Sequence, residues 1–212
     1  MSKGIDLSLY LVTDRGLMSA KTLESAVRQA IEGGCTLVQL REKNASSREF
    51  FLTALNIKKI TDSFNIPLIV NDRADIALAA DAAGVHIGQS DLPAASVRRM
   101  LGPDRILGVS VSTVEDALKA QEDGADYLGV GAMFATGTKA DAKKVTLDVL
   151  NDIVAISRVP VVAIGGINRE TIPFLKNTGI SGIAVVSAVI AAGDIAAAAK
   201  ELKDQFLENR ME

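Results

Sequence analysis

Short aliphatic runs recur along the chain, at Leu9 to Thr13, Leu37 to Leu40, Leu68 to Asn71, Val85 to Ile87, Ile106 to Ser110, Tyr127 to Val130, Val161 to Ile164 and Ile183 to Val186. A short apolar run without clean alternation suits a strand buried on both faces. Helical patterns lie between the runs, at Thr22 to Ile31, Arg48 to Phe64, Val114 to Gln121 and Ile195 to Phe206. A weak internal repeat organises part of this order. It is visible in the stretches starting at Glu32, Ala83, Asp123 and Thr178, each read as a helix closed by glycine and followed by a strand. Glycine just past a helix supplies the left-handed residue that ends it. Strict alternation of strand and helix predicts a parallel sheet, and eight such units favour a closed (β/α)8 barrel over an open doubly wound sheet. Residues 1–212 then form one α/β catalytic domain. The irregular stretch from Met133 to Val145 has the length and composition of a lid or binding loop.

Composition adds limits rather than chemistry. Hydrophobic residues at 48% and charged residues at 23% are those of a folded soluble domain. A formal net charge of −3 gives no electrostatic reason to expect nucleic acid, while leaving room for an anionic small molecule at a locally cationic site. The N-terminus has no apolar stretch long enough for a signal peptide, and no segment is long and apolar enough to span a membrane, so a cytoplasmic protein is expected. Cys35, the one cysteine, reads as a small buried hydrophobe. The sequence leaves the oligomeric state open, a homo-oligomer included.

In such a barrel, chemistry belongs at the C-terminal ends of the strands. The second strand places Gln39, Arg41 and Lys43 on one side and Val38 and Leu40 on the other. Two cations and an amide at the mouth suit a diphosphate, or else form an ion-pair layer inside the barrel. Asp72 and Asp91 follow the third and fourth strands at the same rim. Two carboxylates opposite a cationic strand suit Mg²⁺ shared with phosphate; otherwise Asp72 caps a helix and Asp91 shapes a turn. Ser110 ends the fifth strand as a rim hydroxyl or a cap. Thr136, Gly137, Thr138 and Lys139 combine backbone N–H groups, hydroxyls and a cation in one loop, without the spacing of a Walker motif. Gly165-Gly166 and Val186-Ser187 end the seventh and eighth strands, where barrels of this kind hold phosphate. His86, the only histidine, reads as a structural group near the mouth rather than a proton carrier, and no hydrolytic triad is present.

The chain resembles the thiamine phosphate synthase family over almost its whole length. The resemblance is carried by Leu9 to Arg15, Val38 to Lys43, Ile69 to Asp75, Gly84 to Pro93, Gly108 to Ser110, Thr136 to Lys139, Ile164 to Ile167 and Val186 to Ala188, in that order. It implies a TIM-barrel transferase that condenses a pyrimidine diphosphate with a thiazole phosphate to give thiamine phosphate and pyrophosphate. It implies that Gln39, Leu40, Arg41, Glu42, Lys43, Asn71, Ser110 and Lys139 hold the pyrimidine diphosphate. It also implies that Arg41, Lys43, Ser110 and Lys139 act on the reaction and that Asp72 and Asp91 ligate Mg²⁺. Thr136, Gly137, Thr138, Gly166, Val186 and Ser187 would hold the thiazole phosphate. One departure is that Ala132 and Ala135 stand where the family usually has proline, which removes a restriction on the unbound loop.

Three rivals make different demands. A paralogous thiazole tautomerase on the same barrel would need neither a full diphosphate site nor a metal. A sugar-phosphate isomerase or epimerase would need an acid/base pair, and none is identifiable. A non-catalytic binding protein would bind both substrates and release no pyrophosphate.

Overall fold

The computed structural model describes residues 4–135 and 144–211. Eight parallel strands, β1 (Leu9–Val12), β2 (Leu37–Leu40), β3 (Leu68–Asn71), β4 (Gly84–Ile87), β5 (Ile106–Val111), β6 (Tyr127–Val130), β7 (Val161–Ile164) and β8 (Gly182–Val185), pair in sequence order, and β8 closes on β1. Around them lie α1 (Leu23–Glu32), α2 (Ser47–Ser63), α3 (Ala74–Ala79), α4 (Ala94–Leu101), α5 (Val114–Glu122), α6 (Leu147–Ile156), α7 (Ser187–Ile190) and α8 (Ile195–Met211). This is the (β/α)8 barrel that the alternating pattern predicts. Among the described residues, no helix is long and apolar enough to cross a membrane.

Local chemistry sets the helices. Thr22, Ser46, Thr113 and Thr146 each accept a backbone N–H from the first turn that follows, and Ser46 with Glu49 completes a capping box. Thr22 therefore precedes α1 rather than belonging to it. In α1, Leu23, Ala26, Val27, Ala30 and Ile31 recur at helical spacing and are all buried. They join an outer layer of apolar residues between strands and helices, with Val38, Leu40, Val70, Val85 and Leu107 from the sheet. A second, smaller cluster fills the barrel: Leu7, Tyr10, Val12, Leu37, Ile69, Ile106, Tyr127, Val162 and Ala184. The two sets have opposite parity along the strands, so most strands are apolar on both faces; β4 is the exception, with Gly84 and His86 on its inner face.

Two parts of the repeat reading need correction. Gly34 and Gly124 adopt positive φ of 106° and 91° just past α1 and α5, as the helix-ending role requires; Gly179, at φ 74°, lies four residues beyond a 3-10 turn and ends no helix. Gly84 does not have that role either. In that copy the left-handed residue is Asp81, at φ 51°, and Gly84 lies inside β4, where a Cβ would meet the Ile106 carbonyl oxygen at 2.0 Å. Its lack of a side chain serves close strand packing. The seventh unit has only a 3-10 turn, Ile172–Leu175, in place of a long helix. Pro173 lies in that turn, and α8 holds it from outside: Asn209 Nδ2 donates to the Ile172 carbonyl at 3.0 Å, and Gln205 Nε2 to that of Arg169 at 2.9 Å.

The end of the barrel opposite the strand C-termini is a structural face. Arg98 donates to the carbonyls of Gly102, Arg105 and Gly124 and pairs with Asp126 at 2.6 Å, tying the approaches to β5 and β6 together.

Two outcomes check this packing. Cys35 is 1% exposed and burial pushes its thiol up to about 12, against a smaller opposing effect of Lys203. Alkylation of the native protein at pH 8 should be slower than in urea by about a hundredfold or more; equal rates would contradict the burial. A Cβ at Gly182 would meet the Leu7 carbonyl oxygen at 1.7 Å. Gly182→Ala should lower the unfolding free energy in urea by about 2 kcal/mol or more; an unchanged midpoint would contradict the tight closure of β8 on the N-terminal segment.

Candidate active site

One inward-facing residue from each strand reaches the mouth: Val12, Gln39, Asn71, His86, Ser110, Gly129, Ile164 and Ala184 all line a cavity of about 450 Å³. The loops above add Thr13, Arg41, Gly165, Gly166, Val186 and Ser187, among others. Of the residues singled out from the sequence, Gln39, Arg41, Asn71, Ser110, Gly166, Val186 and Ser187 therefore meet in one place.

The cationic strand end is held by carboxylates. Arg41 Nη1 lies 3.4 Å from Asp14 Oδ2, and its backbone N–H donates to the buried Thr13 hydroxyl at 3.0 Å. Glu42 turns away to a two-pronged pair with Arg15, at 2.8 and 3.1 Å. Lys43 Nζ meets Asp72 Oδ2 at 2.5 Å. These ion pairs lie at the mouth and do not form a layer inside the barrel. Leu40 faces the other way, fully buried in the outer layer, so only its backbone is left to face a ligand.

Asp72 is not a helix cap. The residue flanking α3 is Arg73, with no side-chain cap, and Asp72 sits before it at φ 64°, a left-handed backbone that costs a non-glycine residue about 1 kcal/mol. Its backbone N–H donates to the His86 carbonyl at 2.8 Å, fixing the turn from β3 beside β4. Asp91 returns to the same rim by accepting the Gly88 N–H at 2.7 Å. Burial pushes the Asp91 carboxyl up; the Gly88 N–H opposes this, and the neighbouring Asp72 carboxylate adds to it. The two carboxylates are thus neighbours, with Lys43 as the cation beside them. No group of three or more histidine, cysteine, aspartate or glutamate side chains suited to a metal occurs among the described residues. A pair of oxygen donors remains, the kind of set that holds Mg²⁺ when phosphate supplies further oxygens.

The other side of the mouth is built from backbone. Gly165 and Gly166 have φ of 95° and 68°, which side chains rarely adopt. Their loop also anchors the chain leaving β6: the Met133 and Phe134 N–H groups donate to the carbonyls of Ile164 and Gly165, both at 3.0 Å. Across the same region Val145 N–H donates to the Ala132 carbonyl at 2.8 Å. Ser187 opens α7, where the Val189 and Ile190 N–H groups donate to the Val186 carbonyl at 3.2 and 2.9 Å and those of Ser187 and Ala188 precede the helix's own bonding. At four residues α7 is too short for a large dipole, so N–H groups and the Ser187 hydroxyl would carry any anion recognition there. Thr136, Gly137, Thr138 and Lys139 lie outside the described residues.

The floor of the cavity holds residues that the strand-end reading did not find. Tyr10 and Tyr127 share a hydroxyl–hydroxyl hydrogen bond of 2.7 Å inside the barrel. Gln39 Nε2 donates to Tyr10 at 2.6 Å, and His86 bridges Tyr127 and Ser110 at 2.9 and 2.8 Å. His86 is held on both ring nitrogens and also lines the cavity, and Ser110 contacts it instead of capping a helix. A signal for this cluster exists in the strands. Cβ atoms at Gly108 and Gly129 would meet the Tyr127 ring at 2.1 Å and His86 at 3.0 Å, and glycine within a strand marks such close approach.

Residues 9–189 match the family model described as thiamine monophosphate synthase. The thiamine-phosphate synthase of Ruminiclostridium cellulolyticum is 62% identical over 98% of this chain and 99% of its own. That of Clostridium beijerinckii is 59% identical over 98% and 100%. The solved thiamine phosphate pyrophosphorylase of Pyrococcus furiosus superposes with a TM-score of 0.89 at 41% identity, over 97% of this chain and 98% of its own. The chain belongs to the thiamine monophosphate synthase family.

Proposed function

We propose that the protein is a thiamine-phosphate synthase. It joins 4-amino-2-methyl-5-(diphosphooxymethyl)pyrimidine to 4-methyl-5-(2-phosphooxyethyl)thiazole and releases pyrophosphate. The observation that carries this reading is identity of 62% along essentially the whole chain to a protein of that name, in a fold whose mouth has one charged and one backbone-lined side.

The charged side suits the diphosphate. Lys43 pairs with Asp72, which neighbours Asp91, while Arg41 lines the cavity from the same strand end beside Asp14; the metal that Asp72 and Asp91 would hold is Mg²⁺. Its contribution when bound would be to offset charge on the departing pyrophosphate. The amide of Gln39 and the polar floor suit the aminopyrimidine ring, which is flat and carries donor and acceptor positions on one edge. Gly166, Val186 and Ser187 suit the phosphate of the thiazole, and Thr136 to Lys139 belong to the loop that would complete both sites.

The reaction needs little acid or base. The carbon–oxygen bond breaks with both electrons going to pyrophosphate. The pyrimidinylmethyl cation is stabilised by its own amino-substituted ring. The thiazole nitrogen then gives its lone pair to that carbon and becomes the ring cation of the product. No proton changes place. The protein's work is to neutralise the leaving group with Arg41, Lys43 and Lys139, and to hold the nucleophile in line. Asp14 and Thr13 keep Arg41 aimed at the cavity from side chain and backbone at once.

The direct test mixes both substrates, Mg²⁺ and purified protein, and follows thiamine phosphate. Formation that stops in EDTA and returns with added Mg²⁺ supports the reading; none from folded protein overturns it. Asp72→Asn keeps a residue that tolerates the left-handed backbone and should lower kcat/KM by about a hundredfold. Asp91→Asn can still accept the Gly88 N–H and removes a repelled charge. It should leave the melting temperature equal or higher while activity falls by a similar factor of about a hundred. Full activity in either variant would remove the carboxylate pair from the mechanism.

A further inference from the structure

The polar groups under the cavity form one unbroken series. It runs from Gln39 on β2 to Tyr10 on β1, across to Tyr127 on β6, on to His86 on β4 and out to Ser110 on β5. Its ends, Gln39 and Ser110, line the cavity, and so does His86. Tyr10 and Tyr127 are 1% and 0% exposed and do not reach it. Burial raises the proton affinity of both phenols, so each remains a neutral hydroxyl with one proton to give.

That proton count makes the series directional. With Gln39 Nε2 donating, Tyr10 accepts there and gives its own proton to Tyr127. Tyr127 then gives its proton to His86 Nδ1. The neutral imidazole carries its proton on Nε2 and donates to Ser110 Oγ, whose own proton is left for a ligand. Reversing the Gln39 amide reverses every bond: the imidazole proton moves to Nδ1 and Ser110 donates back to His86. If the imidazole carried both protons while Gln39 donated, the Tyr10 hydroxyl would be left in the barrel with a proton and no acceptor. The amide orientation at one end of the cavity and the hydroxyl direction at the other are therefore a single variable.

We propose that Tyr10, Tyr127 and His86 are positioning residues. They couple Gln39 to Ser110, so that the cavity presents the Gln39 carbonyl as acceptor and the Ser110 hydroxyl as donor to the aminopyrimidine. The substrate half of this rests on the synthase reading. The exocyclic amine of the aminopyrimidine is a donor that wants the carbonyl, and its ring nitrogens and diphosphate oxygens are acceptors that want the hydroxyl. A pyrimidine bearing a carbonyl in place of the amine would meet the wrong end of the amide, and the reversed amide would lose the Ser110 donor at the same time. Gly108 and Gly129 leave the space in which the imidazole and phenol rings fit.

With one histidine in the chain, protein labelled with 15N-histidine gives a single imidazole pair in NMR. At pH 7.5 the proposal requires a protonated, pyrrole-type Nε2 and an unprotonated Nδ1 in the wild type. A protonated Nδ1, or both protonated, overturns it, and this needs neither variant nor substrate. Tyr127→Phe, checked for folding by its urea midpoint, should shift the imidazole toward mixed tautomers. It should weaken pyrimidine diphosphate binding with Mg²⁺ by about tenfold in calorimetry and leave KM for the thiazole phosphate unchanged. Adding it to Ser110→Ala should cost no more than about a further threefold, because both act through the same hydroxyl. Effects that multiply fully would reduce Tyr127 to packing and overturn the coupling. If folded wild-type protein binds no pyrimidine diphosphate, the synthase reading and the substrate half of the proposal fall together, and the imidazole signal alone judges the series of bonds.

Discussion

Closure of eight parallel strands is the constraint on which the rest of the structure depends. Parallel pairing in sequence order sends every strand end to the same rim, and closure aims one face of each strand at a common axis. A side chain of the right parity near a strand's end thus becomes a neighbour of seven others far away in sequence. Gln39, Asn71, His86 and Ser110 meet this way. The same closure demands close approach between strands, met by Gly84 and Gly182, where any side chain would strike a neighbouring carbonyl.

Charge is arranged around that rim in pairs, and the pairs divide the labour. Arg15 with Glu42 and Arg41 with Asp14 fasten the β1 and β2 ends to each other. Lys43 with Asp72 links β2 to β3, and Asp91 adds a second carboxylate whose ionisation is opposed by burial and by its neighbour. Exposed ion pairs of this kind contribute little to stability, so their value lies in where they hold the charges. The rim thus carries anchored cations and a neighbouring carboxylate pair on one side, and the Gly165-Gly166 loop with Ser187 on the other.

Much of this was legible in the sequence because strand and helix periods leave a direct trace. β3 and β7 span the residues that their apolar runs mark, and the caps at Thr22 and Thr113 fall at the predicted helix starts. The short helices α3, α4 and α7 have too few turns to show a period, and the unit with Pro173 lacks a long helix. Strand-end reasoning placed Gln39, Arg41 and Ser110 at the cavity because polar groups stand out against aliphatic strands. It missed Tyr10 and Tyr127, which look like core aromatics until the barrel brings their hydroxyls together. It could not find the left-handed backbone of Asp72, since aspartate permits that conformation without announcing it.

The central claim is that one cavity holds two differently recognised phosphates side by side. A crystal structure with the pyrimidine diphosphate, Mg²⁺ and an unreactive analogue of the thiazole phosphate tests it most directly. The account predicts the diphosphate beside Arg41 and Lys43 with the metal on Asp72 and Asp91, and the monophosphate against Gly166 and Ser187. Both phosphates on the cationic side, or a metal bound away from the two carboxylates, would contradict it.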